Sequence, residues 1–221
     1  MTFDFSLLDG EALLEATYET LYMTIIALIG TFIFGLALGL FLYLTDKDGL
    51  WENKFLNFIT ATFVNVFRAI PFIILILLLF PFTRFLVGTI RGPNAALPAL
   101  IIGAAPFYAR LVEIALKEVN KGVIEAAKSM GARTTRIIFR VLLPESMPAL
   151  ISGLTVTAIA LIGYTAMAGA IGSGGLGSYA YYTGFQRRTF EIVFACSVII
   201  VAIVFIFQFI GDYLSKKIDK R

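Results

Sequence analysis

The sequence contains no histidine and a single cysteine. Without histidine there is no Ser-His or Cys-His catalytic pair, no imidazole zinc site and no imidazole haem ligand. Cys196 stands alone in an apolar run, so neither an intrachain disulfide nor a cysteine metal cluster can be built. Charge is also scarce. Only 15% of residues are charged, against about a quarter in soluble domains, while 59% are hydrophobic and the mean hydropathy is +0.88. A soluble domain of 221 residues could not hide that much apolar surface, and lipid is the natural solvent for it. The net charge is only +3, and Lys and Arg fall in short patches between apolar runs. A nucleic-acid partner would need a clustered basic face, so none is expected. No G-x-x-x-x-G-K-[ST] phosphate loop occurs, so no nucleotide is expected on this chain. No catalytic residue, metal site or cofactor is expected either.

What is present is a series of long apolar stretches. A membrane-crossing helix needs about 20 mostly apolar residues. Five runs meet that length: 21–44, 55–82, 96–116, 148–169 and 192–213. Met1 to Glu19 holds Asp4, Asp9, Glu11, Glu15 and Glu19 but no Lys or Arg. It lacks the basic start of a secretory signal, so the first run is expected to be retained as a span. Residues 146–186 carry no charge, about twice the length one crossing needs. Their second half is rich in Gly, Ser and Tyr, which drive insertion poorly, and it reads as a loop folded back toward the pore, where irregular backbone can be buried in protein. Twelve of the 18 cations fall in three segments: Lys47 and Lys54; Lys117, Lys121, Lys128, Arg133, Arg136 and Arg140; and Lys216, Lys217, Lys220 and Arg221. With five spans all three face one side, which the positive-inside rule makes cytoplasmic, with the N-terminus outside. A sixth span at the Gly-rich stretch would put the basic tail outside. No linker, low-complexity tract or internal repeat divides residues 1–221, which read as one all-α membrane domain with a cytoplasmic loop at 117–147.

That loop is the most informative segment. Val119, Val123, Ala126, Ala127 and Met130 recur at helical spacing and predict a short helix with one narrow apolar face. Gly131 can take the left-handed conformation that ends it. Thr134 or Thr135 can cap the next helix. Pro144 and Pro148 are expected to break and restart the chain at the membrane surface. Glu125-Ala126-Ala127, then Gly131 after three residues, then Val141-x-Leu143-Pro144 after nine more, resembles the EAA motif of ABC importer permeases; the family has Ile where Val141 stands. The resemblance implies a type I importer permease fold and a loop that docks, as a coupling helix, into a cleft of a separate ATPase. Glu125, Ala126, Ala127, Gly131, Leu143 and Pro144 would carry that contact. VFRAIPFIILI (66–76), PFTRFLVGT (81–89), GAAPFYARLVE (103–113) and GYTAMAGAIGSGGLG (163–177) are similar to the membrane subunit of bacterial methionine importers. This implies a homodimer in the inner (plasma) membrane with two ATP-binding subunits, which hold the ATP and Mg, and an extracytoplasmic substrate-binding protein or lipoprotein.

Arg68 is the sharpest position within a span. An Arg at mid-membrane costs about 2.5–3.5 kcal/mol on insertion scales and so faces a bundle interior or cavity. Pro71 deprives the Phe67 carbonyl of its usual donor and marks a bend. Arg68 either shapes the passage and meets a substrate carboxylate, or pairs with backbone carbonyls in packing, or snorkels from a span that starts later. Asn65, one turn earlier, either shares that network or caps local backbone. Tyr164 and Met167 sit beside small residues in the fourth span and read either as pathway or as core; a polarizable Met suits a passing thioether. Arg110 and Glu113 are expected to pair with each other or with the loop helix. Other readings are an ABC permease for another small solute, or a gradient-driven carrier. Carriers of that kind show repeats and midplane carboxylates, whereas the acids within these spans, Glu113 and Asp212, lie near span ends.

Overall fold

The structure, a computed structural model, describes residues 8–219; the remaining acidic and basic terminal residues of the expectations above, with Asp4, Lys220 and Arg221 among them, lie outside the described residues. Helix α1 (Gly10–Thr45) runs for 36 residues, about 54 Å, against a hydrocarbon core of ~30 Å. It starts well before residue 21 because Asp9 caps it, its side chain accepting from the amides of Glu11 and Ala12 at 3.0 and 3.2 Å. One edge of α1 carries Ala27, Thr31, Gly35 and Gly39, all buried. These small residues lie against α5 (Pro93–Lys117), itself lined by Ala96, Ala99, Ala105 and Ala109. A Cβ built on Gly39 would stand 2.5 Å from the Ala109 carbonyl oxygen, so the two backbones meet at the glycine. Helix α5 is the centre of the bundle, and Tyr108 on it is fully buried, its hydroxyl donating to the Leu150 carbonyl at 3.2 Å.

The expected second span, 55–82, is not one helix. It divides into α2 (Lys54–Ala69), α3 (Phe72–Leu78) and α4 (Phe80–Val87), and α2 and α3 meet at 105°. Pro71 has no amide hydrogen to continue α2 and biases Ile70 to extended backbone (φ −77°, ψ 121°), which turns the chain. Arg68 is therefore at the exposed end of α2 beside a break, not midway along a continuous crossing.

The loop helix α6 (Lys121–Ser129) is capped by Asn120, whose side chain accepts from the Gly122 amide at 2.8 Å. Gly131 follows with φ +73° and nothing within 4 Å of where a Cβ would stand. The next helix, α7 (Thr134–Ile137), is preceded by Arg133 with no side-chain cap, so neither Thr134 nor Thr135 has the capping role expected. Nor do the prolines interrupt the chain. From α7 a π-helical segment (Ile138–Leu142) leads directly into α8 (Leu143–Ala170). The wider turn lies just ahead of Pro144, whose missing N–H leaves the Arg140 carbonyl without its α-helical donor. The Gly-rich stretch is also helical rather than a loop: α9 (Gly175–Ser178) continues as a π-helical segment, Tyr179–Phe185. Helix α10 (Phe190–Ile218) closes the fold.

Among the described residues no strand occurs. Four helical runs are long and apolar enough to cross a membrane: α1, α5, 134–170 and α10. The bent pair α2–α3 makes a fifth if counted as one crossing. The chain is an all-helical membrane protein.

Candidate functional site

Two places combine polar and apolar groups in a way the fold alone does not require. The first is the α2–α3 break. Arg68, Phe67, Phe72, Gly103, Phe107 and Tyr164 border a cavity of about 260 Å³, joined by Ile70 and Leu75. Its walls come from α2, α3, α5 and α8. Phe72 and Tyr164 stack nearly parallel in its wall, with ring centroids 4.4 Å apart and planes at 6°. Gly103 lets Phe72 and Leu75 pack directly on α5, since a Cβ there would lie 3.2 Å from both. Among the described residues Arg68 makes no ion pair and no side-chain hydrogen bond, so packing against backbone carbonyls does not hold it. The structure thus brings Arg68 and Tyr164 to one cavity. Asn65, exposed on α2, and Met167, exposed on α8, do not line it. Phe67, Phe72 and Phe107 were not singled out by the sequence reading; PFI after Arg68 and APF in α5 are the signals that would have pointed to them.

The second place is the loop between α5 and α8. The expected apolar face of α6 is split between two directions. Ala127 and Val119 turn inward with Ile124, and all three join Leu116, Ile137 and Leu142 in one buried cluster. Val123 and Met130 are exposed, Met130 at 82%, and Ala126 between them is exposed as well. Ile124, which the periodicity did not place, is the anchor. Leu143 packs partly on the same cluster, while Glu125, Gly131 and Pro144 face solvent. Beside Pro144 a larger cavity, about 630 Å³, opens between the end of α5, the start of α8 and the end of α10.

Charge fixes the root of this loop. Glu113 is buried and accepts from Arg110 at 2.6 Å and from Lys117 at 2.7 Å. Lys117 also reaches Asp46, the residue that ends α1, at 2.7 Å. The Lys117 hydrogen bond holds the Asp46 carboxyl below its ordinary range. At the opposite end of the bundle, Glu19 accepts from the Gly175 amide at 2.6 Å and Thr20 from the Leu176 amide at 2.8 Å. No group of His, Cys, Asp and Glu able to hold a metal occurs among the described residues.

Comparison with known proteins places this geometry. The family described as the inner membrane component of binding-protein-dependent transport systems matches residues 35–220. The methionine import system permease protein MetP of Bacillus subtilis is 65% identical over 213 residues, 96% of each chain. The D-methionine transport system permease protein MetI of Escherichia coli K12 is 46% identical over 157 residues, 71% of this chain and 72% of that one. Among solved structures, a chain of the MetNI methionine ABC transporter in an inward-facing conformation superposes with a TM-score of 0.94 at 41% identity, over 96% of this chain and 98% of that one. An amino acid ABC transporter solved with histidines shares the fold at 21% identity, TM-score 0.81, over 98% of this chain and 100% of that one.

Proposed function

Since the chain belongs to the family of binding-protein-dependent transport inner membrane components, we propose that it is the permease subunit of an ATP-driven importer of methionine or a closely related amino acid. Two copies would assemble with two ATP-binding subunits, which hold ATP and Mg, and receive substrate from an extracytoplasmic binding protein or lipoprotein. The observation that carries this reading is the construction of α6. A short helix is rooted in the bundle by Ile124 and Ala127, yet leaves Val123, Ala126 and Met130 open along its outer side. An apolar stripe of that kind, held at a fixed angle, suits a partner cleft.

The mechanism follows from what α6 is attached to. Its buried cluster includes Tyr108, Val112 and Leu116 of α5 and Leu142 and Leu150 of the 134–170 run. A push on α6 is therefore shared by both helices. Further along, α5 carries Gly103 and Phe107, and α8 carries Tyr164, which form different walls of the cavity beside Arg68. Nucleotide-driven movement of the partner would so widen or narrow the passage without chemistry on this chain. Glu125, Ala126, Ala127, Gly131, Leu143 and Pro144 make up the coupling element; Asn65, Arg68, Tyr164 and Met167 are assigned to the pathway, Arg68 and Tyr164 at the cavity and Asn65 and Met167 away from it. By the positive-inside rule, Lys47, Lys128 and Lys217 support an orientation with these loops and the C-terminal end in the cytoplasm and the N-terminus outside.

The test is uptake of labelled methionine by proteoliposomes holding this chain with its ATPase and binding protein. ATP-dependent uptake is expected. Uptake that ignores ATP but follows an ion gradient would replace the reading with a gradient-driven carrier.

A further inference from the structure

Resting on the importer reading, we propose that the cavity at the α2–α3 break is a recognition site for a neutral amino-acid zwitterion, in which Arg68 takes the carboxylate, the Phe67 carbonyl takes the ammonium group, and Phe72, Phe107 and Tyr164 take the side chain. The cavity is about 260 Å³, below the ~300–1,000 Å³ of sites for drug-sized ligands, which restricts it to one small molecule. Its polar groups are of two kinds, one for each end of a zwitterion. Arg68 supplies an unpaired guanidinium, whose fork matches a carboxylate. One residue earlier, Phe67 carries a carbonyl with no donor four residues on, because residue 71 is proline. Freed carbonyls at a broken membrane helix are natural partners for a cation.

The remaining lining decides the class of side chain. No acidic residue borders the cavity, so a lysine or arginine substrate would bring a second positive charge beside Arg68 with nothing to neutralise it. The walls are aromatic. Phe72 and Tyr164 lie stacked at 4.4 Å, and a thioether meets such rings favourably at about 5 Å, often at the ring edge. A Cβ at Gly103 would press on Phe72 and Leu75 at 3.2 Å, so the glycine is what lets these two side chains close against α5.

The site is tested by equilibrium binding of labelled L-methionine to the detergent-purified complex of this chain with its ATPase, without binding protein. Norleucine, leucine and lysine serve as competitors. Methionine should bind about two- to tenfold tighter than norleucine, and lysine should compete least. Arg68→Ala should weaken methionine binding roughly 10- to 100-fold. Phe72→Leu should erase the preference for methionine over norleucine while leaving norleucine binding within a few fold. Tyr164→Phe, which keeps the ring, should keep the preference. ATP-driven methionine uptake in proteoliposomes is measured for the same variants, so that importer and site are judged separately. If the unchanged complex imports methionine while Arg68→Ala and Phe72→Leu bind and discriminate as it does, the site is refuted and the importer stands. Absence of ATP-driven uptake by the unchanged complex would overturn both.

Discussion

Lys117 holds Asp46 and Glu113 at once, its Nζ lying 2.7 Å from an oxygen of each. The lysine ends α5 and Asp46 ends α1, so the two longest-packed helices are tied together one turn above the loop helix. Lys117→Met removes that tie and leaves buried Glu113 with Arg110 alone. Because Lys117 is about half exposed and Arg110 remains, the cost should be about 1–2 kcal/mol, well short of losing a fully buried pair. Thermal unfolding of the purified chain would measure it. Glu113→Gln in the same background should recover part of the loss. The Asp46 share of the tie depends on pH in a defined direction. Its carboxyl is held below the ordinary value, so the stabilisation is present above about pH 4 and disappears as pH falls through the lowered pKa. The gap between Lys117→Met and the unchanged chain should be flat from neutral pH to about 5 and narrow below 4. A gap that grows on acidification would contradict the assignment.

Gly131 has φ +73°, and open space surrounds the position of its missing Cβ. Substitution there acts through backbone strain, not collision. Gly131→Val should cost on the order of 1–3 kcal/mol and disturb the turn that aims α6. Gly131→Asn, a residue tolerant of left-handed backbone, should be nearly neutral. Membrane abundance should stay normal for both, while Val alone should reduce the ATPase recovered with a tagged copy. Equal recovery from both variants would disconnect the turn from coupling.

The exposed side of α6 gives a complementary result. Met130→Asp, at a position 82% exposed, should leave thermal stability within about 0.5 kcal/mol. It should nevertheless abolish ATPase recovery, because a charge would enter an apolar contact. Ile124→Asp, on the buried side, should instead destabilise the chain itself. Two variants with the same stability profile would mean that the helix is not partitioned in this way.

Along the α1–α5 seam, Gly39 and Gly30 should respond differently to alanine. At Gly39 the new methyl would meet the Ala109 carbonyl oxygen at 2.5 Å, backbone that cannot turn aside. At Gly30 it would meet the end of the Ile101 side chain, which can change rotamer. Gly39→Ala should lower the unfolding temperature by an amount equivalent to about 1–3 kcal/mol, and Gly30→Ala by less than 1. The reverse order would show that the helices move apart easily.

Sidedness can be read with an impermeant thiol reagent on intact cells, after Cys196 is replaced. Cysteine at Thr89, exposed beyond α4, should label from outside. Cysteine at Lys47, Lys128 or Lys217 should label only after permeabilisation. Labelling of the Lys217 position in intact cells would invert the orientation or add a crossing.

Much of this architecture was readable in advance where the signal is local. The charged ends of α5, the position of the loop helix and the turn at Gly131 all follow from residues within a few positions of one another. Arg110 and Glu113 pair as expected because three residues bring them to one face. The failures have a common origin in contacts that composition does not encode. Hydropathy averages across Pro71 and so reads 55–82 as one rod, whereas the chain turns by 105° there. Pro144 reads as a breaker, but the π-helical segment Ile138–Leu142 widens the helix just before it and the run continues. The glycines at 174, 175 and 177 read as loop, yet a helix begins among them because α1 supplies acceptors for its first amides. At the cavity, Arg68 stood out as a charge among apolar residues. Phe72 and Phe107 did not, since one phenylalanine among the 21 in the chain carries no mark of its neighbours.

The Glu19 and Thr20 contacts have an implication for how the chain is made. Both bond to amides 156 residues later, so the N-terminal end of α1 waits for its partners until 156 more residues have been made. Until residues 175 and 176 arrive, that end is an acidic, unclosed rim. Residues 175 and 176 thus act as a seal on the start of α1, and a ribosome that stops after α8 would leave a bundle that is packed around Lys117 and unfinished around Glu19.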